Sequence, residues 1–174
     1  MAEAPQHWYA KMNDEFAQMA RWLQSPFLLA VRLYWGWQFM QSGWAHLHNL
    51  DGFTQFFVTL GIPAPGINAH FVAGLEYFGG LLLILGLASR YISLLLVCDM
   101  FVAYYTADRD SLKAIFSDPD KFTGASPYNL LFAALIILIF GAGAISVDHL
   151  MRHHFEKKRL ERQAKLEAAS GDNG

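Results

Sequence analysis

The sequence predicts an all-α polytopic membrane protein. The expected form is a four-transmembrane-helix bundle with an N-terminal interfacial amphipathic helix and a cytoplasmic C-terminal helix. Three observations lead there. Hydrophobic residues make up 54% of the 174-residue chain and charged residues only 16%, against roughly 25% charged in typical soluble domains. Most of the charge falls in residues 1–25, 107–121 and 147–167. Between these segments lie nearly uncharged runs at 26–44, 69–88, 91–107 and 128–146. Each is roughly 17–20 residues, enough at ~1.5 Å per residue to cross a hydrocarbon layer of about 30 Å. A lipid-embedded backbone must satisfy its own hydrogen bonds, so each run should be helical.

Residues 1–25 read as the interfacial helix. Trp8, Met12, Phe16, Met19 and Leu23 recur at spacings of three and four, which builds one apolar stripe on an otherwise polar helix. A basic start followed by an apolar run and a small-residue cleavage site is missing, so no cleavable signal peptide is expected. Residues 26–148 form the expected membrane domain. After its first span, Phe53, Phe56, Phe57 and Leu60 give a short helix over 52–60 with one aromatic face. That face would either seat the bundle at the outer interface or cover a cavity. Gly61, Pro63, Pro65 and Gly66 then force a stiff turn. The turn Ala88, Ser89, Arg90 makes the second and third spans antiparallel neighbours. A short helix is expected at 111–116, and Pro127 sets the start of the fourth span. Residues 149–174 form the charged tail, with Asp148 near the start of its helix.

The distribution of basic residues sets the orientation. Residues 45–68 contain no Lys or Arg, whereas Arg90, Arg152, Lys157, Lys158, Arg159, Arg162 and Lys165 mark the other side. The positive-inside rule then places both termini in the cytoplasm. Arg109, Lys113 and Lys121 count against this, although Asp108, Asp110, Asp118 and Asp120 lie among them. Cys98 is the single cysteine, which excludes an intramolecular disulfide and reads as a small core residue. A net charge of −2 argues against a nucleic-acid partner.

Three spans carry an ionisable group: Arg32, Glu76 and Asp99. Each costs at least ~2.5–3.5 kcal/mol at a membrane-helix centre, so all three should face the bundle interior. Depth counted along the helices predicts an Arg32–Asp99 or Arg32–Glu76 pair, with Gln38 near the level of Glu76. Such a pair could be purely structural. Two carboxylates against one arginine leave excess negative charge in a poor solvent, so at least one acid is expected to hold a proton. A proton relay or ligand site would use Glu76 as the proton carrier, Arg32 to tune the acids and Asp99 to orient Arg32. The dense aromatics either pack helices or line a slot for a flat quinone ring, with Trp37 and Tyr77 as walls and Gln38 or Tyr104 bonding a carbonyl. His46, His48 and His70 cluster near the outer face. Without a mirrored pair they read as interfacial residues rather than haem or metal ligands.

The stretches LLAVRLYWGWQFMQSGWAHLHNLD, GIPAPGINAHFVAGLEYFGGLLLILGLASR and DMFVAYYTADRD resemble the DoxX family of small bacterial membrane proteins. Arg32, Glu76 and Arg90 match its arginine in span one, its glutamate before a Gly-rich half-span and its GLxSR turn. The resemblance implies a four-helix bundle in the bacterial inner membrane. Some relatives are quinone-linked subunits, as in thiosulfate:quinone oxidoreductase, or belong to oxidative-stress complexes; eukaryotic relatives act as chaperones or cargo receptors. The expectation is a subunit of a redox system with no intrinsic cofactor and a bound quinone, its electrons supplied by a soluble or membrane partner. Self-association is left open. The alternative is a non-catalytic membrane adaptor or assembly factor whose buried charges are structural.

Overall fold

The computed structural model describes residues 4–171. They form eight helices and no strand: α1 (Ala4–His48), α2 (Leu50–Thr59), α3 (Pro65–Leu85), α4 (Ser89–Thr106), α5 (Arg109–Lys113), α6 (Pro119–Thr123), α7 (Ser126–Phe140) and α8 (Val147–Gly171). Residues 172–174, the end of the expected tail, lie outside the described residues. Helices α1 and α3 pack along most of their shared length, as do α4 and α7. Contacts of α3 with α4 and of α1 with α7 join the two pairs into a four-helix ring.

Local chemistry explains most helix ends. The Asn49 side chain accepts from the Gly52 N–H and caps α2. Pro65 and Pro119 sit at the first turns of α3 and α6, where no amide donor is needed. Gly86 ends α3 at φ 70, in the left-handed region, with its N–H and that of Leu87 turned back to the last carbonyls. The loop expected to hold one helix at 111–116 holds two single-turn helices, because Asp118 caps a new start at Pro119.

Two boundaries differ from the sequence reading. No break separates the N-terminal segment from the first apolar run, since α1 continues through Pro26 as one 45-residue helix. Proline removes one backbone bond, yet helical segments on both sides keep the axis running. The N-terminal stripe, including Trp8, Phe16 and Leu23, stays exposed along it. The last apolar run is helical only to Phe140, and residues 141–146 are irregular because Gly141 and Gly143 both adopt positive φ.

Side chains are distributed inside out for a protein in water. Leu33, Trp37, Phe78, Leu94, Phe101, Phe132 and Ile139 project outward from α1, α3, α4 and α7. The interior holds Arg32, Glu76, Ser89 and Ser93, together with an apolar layer that includes Phe39, Leu83, Leu96, Met100 and Ile137. Among the described residues α3 is the one helix that is both long and apolar enough to cross a membrane on its own, and α7 is apolar but shorter.

Candidate functional site

The register of α1 against α3 decides which polar groups meet. Gly43 lies so close to α3 that a Cβ there would overlap the Tyr77 amide nitrogen and the Ala73 carbonyl. This contact brings Glu76 opposite Ser42 and His46. The His46 Nδ1 and Glu76 Oε2 are 2.8 Å apart, and Ser42 Oγ donates to the same oxygen at 3.1 Å. With its proton on Nδ1, the imidazole donates to the carboxylate. Phe53 of α2 stacks on that imidazole, with centroids 3.8 Å apart and planes 3° from parallel. Glu76 is only 3% exposed. Both of its hydrogen bonds go to one oxygen, which leaves Oε1 free of a protein donor among the described residues.

These groups form one wall of a cavity of about 550 Å³ between the two helix pairs. Helix α2 closes one side with Phe53, Phe56 and Phe57, α3 contributes Val72 and Leu75, and α4 contributes Asp99, Met100 and Ala103. The size falls within the roughly 300–1,000 Å³ usual for small-ligand pockets. Asp99 lines the cavity, and its Oδ2 is buried with no hydrogen-bond partner among the described residues. Buried carboxylate oxygens are ordinarily bonded, so this oxygen is an acceptor still free to take a hydrogen bond. The arrangement can accept two hydrogen bonds from a ligand, at Glu76 and at Asp99. It can also pass a proton between His46 and Glu76.

The expected charge trio does not assemble. Arg32 pairs with neither Glu76 nor Asp99. Its guanidinium donates to backbone carbonyls instead: Leu83 at 3.0 Å, Ile145 at 3.1 Å, Ile84 at 3.4 Å, and Ala142. These carbonyls belong to the end of α3 and to the irregular segment 141–146. Arg32 lies 14 positions before His46 on α1, about 21 Å along the helix, and the apolar layer separates them. Gly86 packs on the guanidinium: a Cβ at Gly86 would meet Arg32 Cζ at 2.8 Å. The Gly86 carbonyl accepts from the Asp148 N–H, and the Asp148 carboxylate accepts from the Ala88 and Ser89 N–H groups at 2.7 and 2.9 Å. Arg32 and Asp148 therefore hold the α3 end, the α4 start and the α7–α8 connection together. Arg32 is a structural clamp here. Depth counting failed because it took Pro26, where the first run begins, as the inner end of a span, whereas α1 runs on through it and Arg32 lies level with the end of α3.

The expected quinone-slot residues lie elsewhere too. Gln38 and Trp37 face outward. Tyr77 packs edge-on against Phe78 and near Trp44, and it does not line the cavity. Tyr104 is buried, and its hydroxyl is already committed to the Phe122 carbonyl at 2.8 Å. The sequence reading missed Ser42 as a site residue and treated His46 as interfacial. The signal was present as the Ser42 and His46 spacing of one helical turn, facing Glu76 once Gly43 sets the register. His48 and His70 bond carbonyls of their own helices. Among the described residues no group of three His, Cys, Asp or Glu side chains converges as a metal site.

Residues 27–109 match the DoxX family model. The chain carries a DoxX domain. That domain runs from the second half of α1 to the start of α5 and contains the cavity groups Ser42, His46, Glu76 and Asp99. The chain is 28% identical over 120 residues to a Bacillus subtilis (strain 168) protein named "Putative oxidoreductase CatD", spanning 69% of this chain and 83% of that one. It is 29% identical over 136 residues to a Haemophilus influenzae (strain Rd) protein named only "Uncharacterized protein", spanning 75% and 87%. No solved structure matches the chain significantly.

Proposed function

We propose that this DoxX protein is a four-span inner-membrane protein, with both termini cytoplasmic, that binds a quinone-type ring in the cavity beside Glu76. The observation that carries the reading is that the His46–Glu76 bond and the unpartnered Asp99 Oδ2 line one cavity with aromatic walls. A flat ring carrying hydroxyl groups is the ligand class that two carboxylate acceptors beside Phe53 and Phe57 suit best. In the quinol form its hydroxyls donate to Glu76 and Asp99. With such a ring bound, Glu76 and Asp99 would hold its polar ends and His46 would relay a proton to or from Glu76, while electrons would have to move to or from a partner. The name of the Bacillus relative, an oxidoreductase, agrees with a redox role.

The membrane part of the reading rests on the outward-facing apolar side chains of α1, α3, α4 and α7. Helix α7, with 15 residues, covers only about 22 Å of depth. The segment 141–146 makes up the difference, and its carbonyls find donors in Arg32. Irregular backbone at membrane depth is tolerated where protein groups satisfy it.

The adaptor reading keeps one specific support: α8 projects from the bundle with Leu150, Phe155 and Leu160 exposed. One experiment separates the two. Lipids bound to detergent-purified protein are extracted and identified by mass spectrometry, for wild type and Glu76→Gln. A quinone enriched in wild type and depleted in the variant supports the cavity reading. Its absence from both overturns that reading and favours the adaptor.

A further inference from the structure

At the end of the bundle opposite the Glu76 cavity lies a second, polar cavity of about 510 Å³, and it uses none of the same residues. It is framed by the α3–α4 turn, the irregular segment 141–146 and the first turns of α8. Three cationic or potentially cationic side chains line it: Arg90, His149 and Arg152. Arg32 and Arg90 do opposite things at this end. Arg32 is spent on four carbonyls, whereas Arg90 is exposed and makes one long contact, to the Ile139 carbonyl at 3.4 Å. The one acid in the cavity lining, Asp148, has both oxygens occupied by the Ala88 and Ser89 amides. Neither arginine forms an ion pair among the described residues. The rim is apolar, with Tyr91 and Phe140 strongly exposed beside the basic groups.

We infer that this cavity holds the phosphate headgroup of an anionic phospholipid. Arg90 and Arg152 contact the phosphate oxygens, for which a guanidinium fork is the matched donor. His149 closes the third side, and Tyr91 and Phe140 lie against the first methylenes of the acyl chains. A basic pocket with an aromatic rim at the cytoplasmic end of a helix bundle is the chemistry that selects anionic over zwitterionic lipid. The inference rests on the membrane placement proposed above and not on the cavity ligand at Glu76.

The test is binding of dioctanoyl phosphatidylglycerol, dioctanoyl phosphatidylcholine and inorganic phosphate to delipidated protein in neutral detergent. Wild type should bind phosphatidylglycerol at least tenfold more tightly than phosphatidylcholine. The double variant Arg90→Gln, Arg152→Gln should bind it about 30-fold more weakly, each basic group contributing roughly fivefold. The charge-conserving pair Arg90→Lys, Arg152→Lys should recover part of the loss, and the glutamine variant should unfold in detergent at the wild-type temperature, which shows that it still folds. Glu76→Gln should bind like wild type, so failure of the quinone reading leaves this result intact. Equal binding of both lipids, an unchanged glutamine variant, or inorganic phosphate matching phosphatidylglycerol would each overturn the inference. Release of the protein from membranes by alkaline carbonate without detergent would overturn the membrane placement and the lipid site with it.

Discussion

His46 and Glu76, 30 positions apart in the chain, meet at 2.8 Å because Gly43 lets α1 lie against α3. Neither residue would reach the other in a shifted register. The bond, the Phe53 ring stacked on it and the unpartnered Asp99 oxygen are the chemistry of the first cavity.

Gly43→Ala tests that register. The added methyl would overlap the backbone at Tyr77 and Ala73, so the helices must separate. The expected outcome is a loss of about 1–3 kcal/mol of stability together with loss of cavity ligand. Thermal unfolding in detergent checks the first, and lipid extraction the second.

Arg32→Lys should destabilise the protein although charge is conserved. An ammonium cannot reach the dispersed carbonyls of Leu83, Ile84, Ala142 and Ile145 as a planar fork does. Each buried carbonyl left unmet costs about 1–3 kcal/mol. Unfolding of the Lys variant is expected at clearly lower temperature than wild type, with Arg32→Ala lower still. Stability equal to wild type would show that the clamp contributes little.

Asp99→Leu should separate stability from ligand binding. Its buried oxygen has no partner among the described residues, so removing it is expected to raise stability by about 1 kcal/mol while ligand affinity falls. A drop in stability would mean that Asp99 serves the fold.

Asp148→Asn should weaken the α3–α4 turn. Ala88 stands at φ 50, a conformation costly for a residue with a Cβ, and the Asp148 carboxylate holds the Ala88 and Ser89 amides there. About 1 kcal/mol of stability should be lost, with Ala88→Gly in the same background restoring part of it. Paired unfolding curves check both.

Much of this was legible in the residues. The apolar runs, the short aromatic helix after the first run and the tight turn at Ala88 follow from spacing and from glycine and proline. The DoxX resemblance agrees with the family match at 27–109. Burial of Arg32 and Glu76 was also readable, because charges in apolar runs must turn inward. Their partners were not. Pairing depends on helix register, and a slip of one turn, about 5.4 Å, exchanges one set of neighbours for another. That is why Gln38 was expected at the level of Glu76 while Ser42 and His46 are found there. Backbone carbonyls are equally invisible in a sequence. The reading therefore sought an acid for Arg32, which bonds the carbonyls of an irregular segment instead.

The most direct measurement is photo-crosslinking with a short-tailed benzoquinone that carries a diazirine, followed by peptide mapping of the adducts. Adducts concentrated at Phe53, Phe57, Leu75 and Met100, and reduced about tenfold or more in Glu76→Gln when a charge-assisted hydrogen bond is lost, are the predicted result. Adducts confined to outward-facing residues such as Trp37 and Phe78, unchanged by Glu76→Gln, would contradict it.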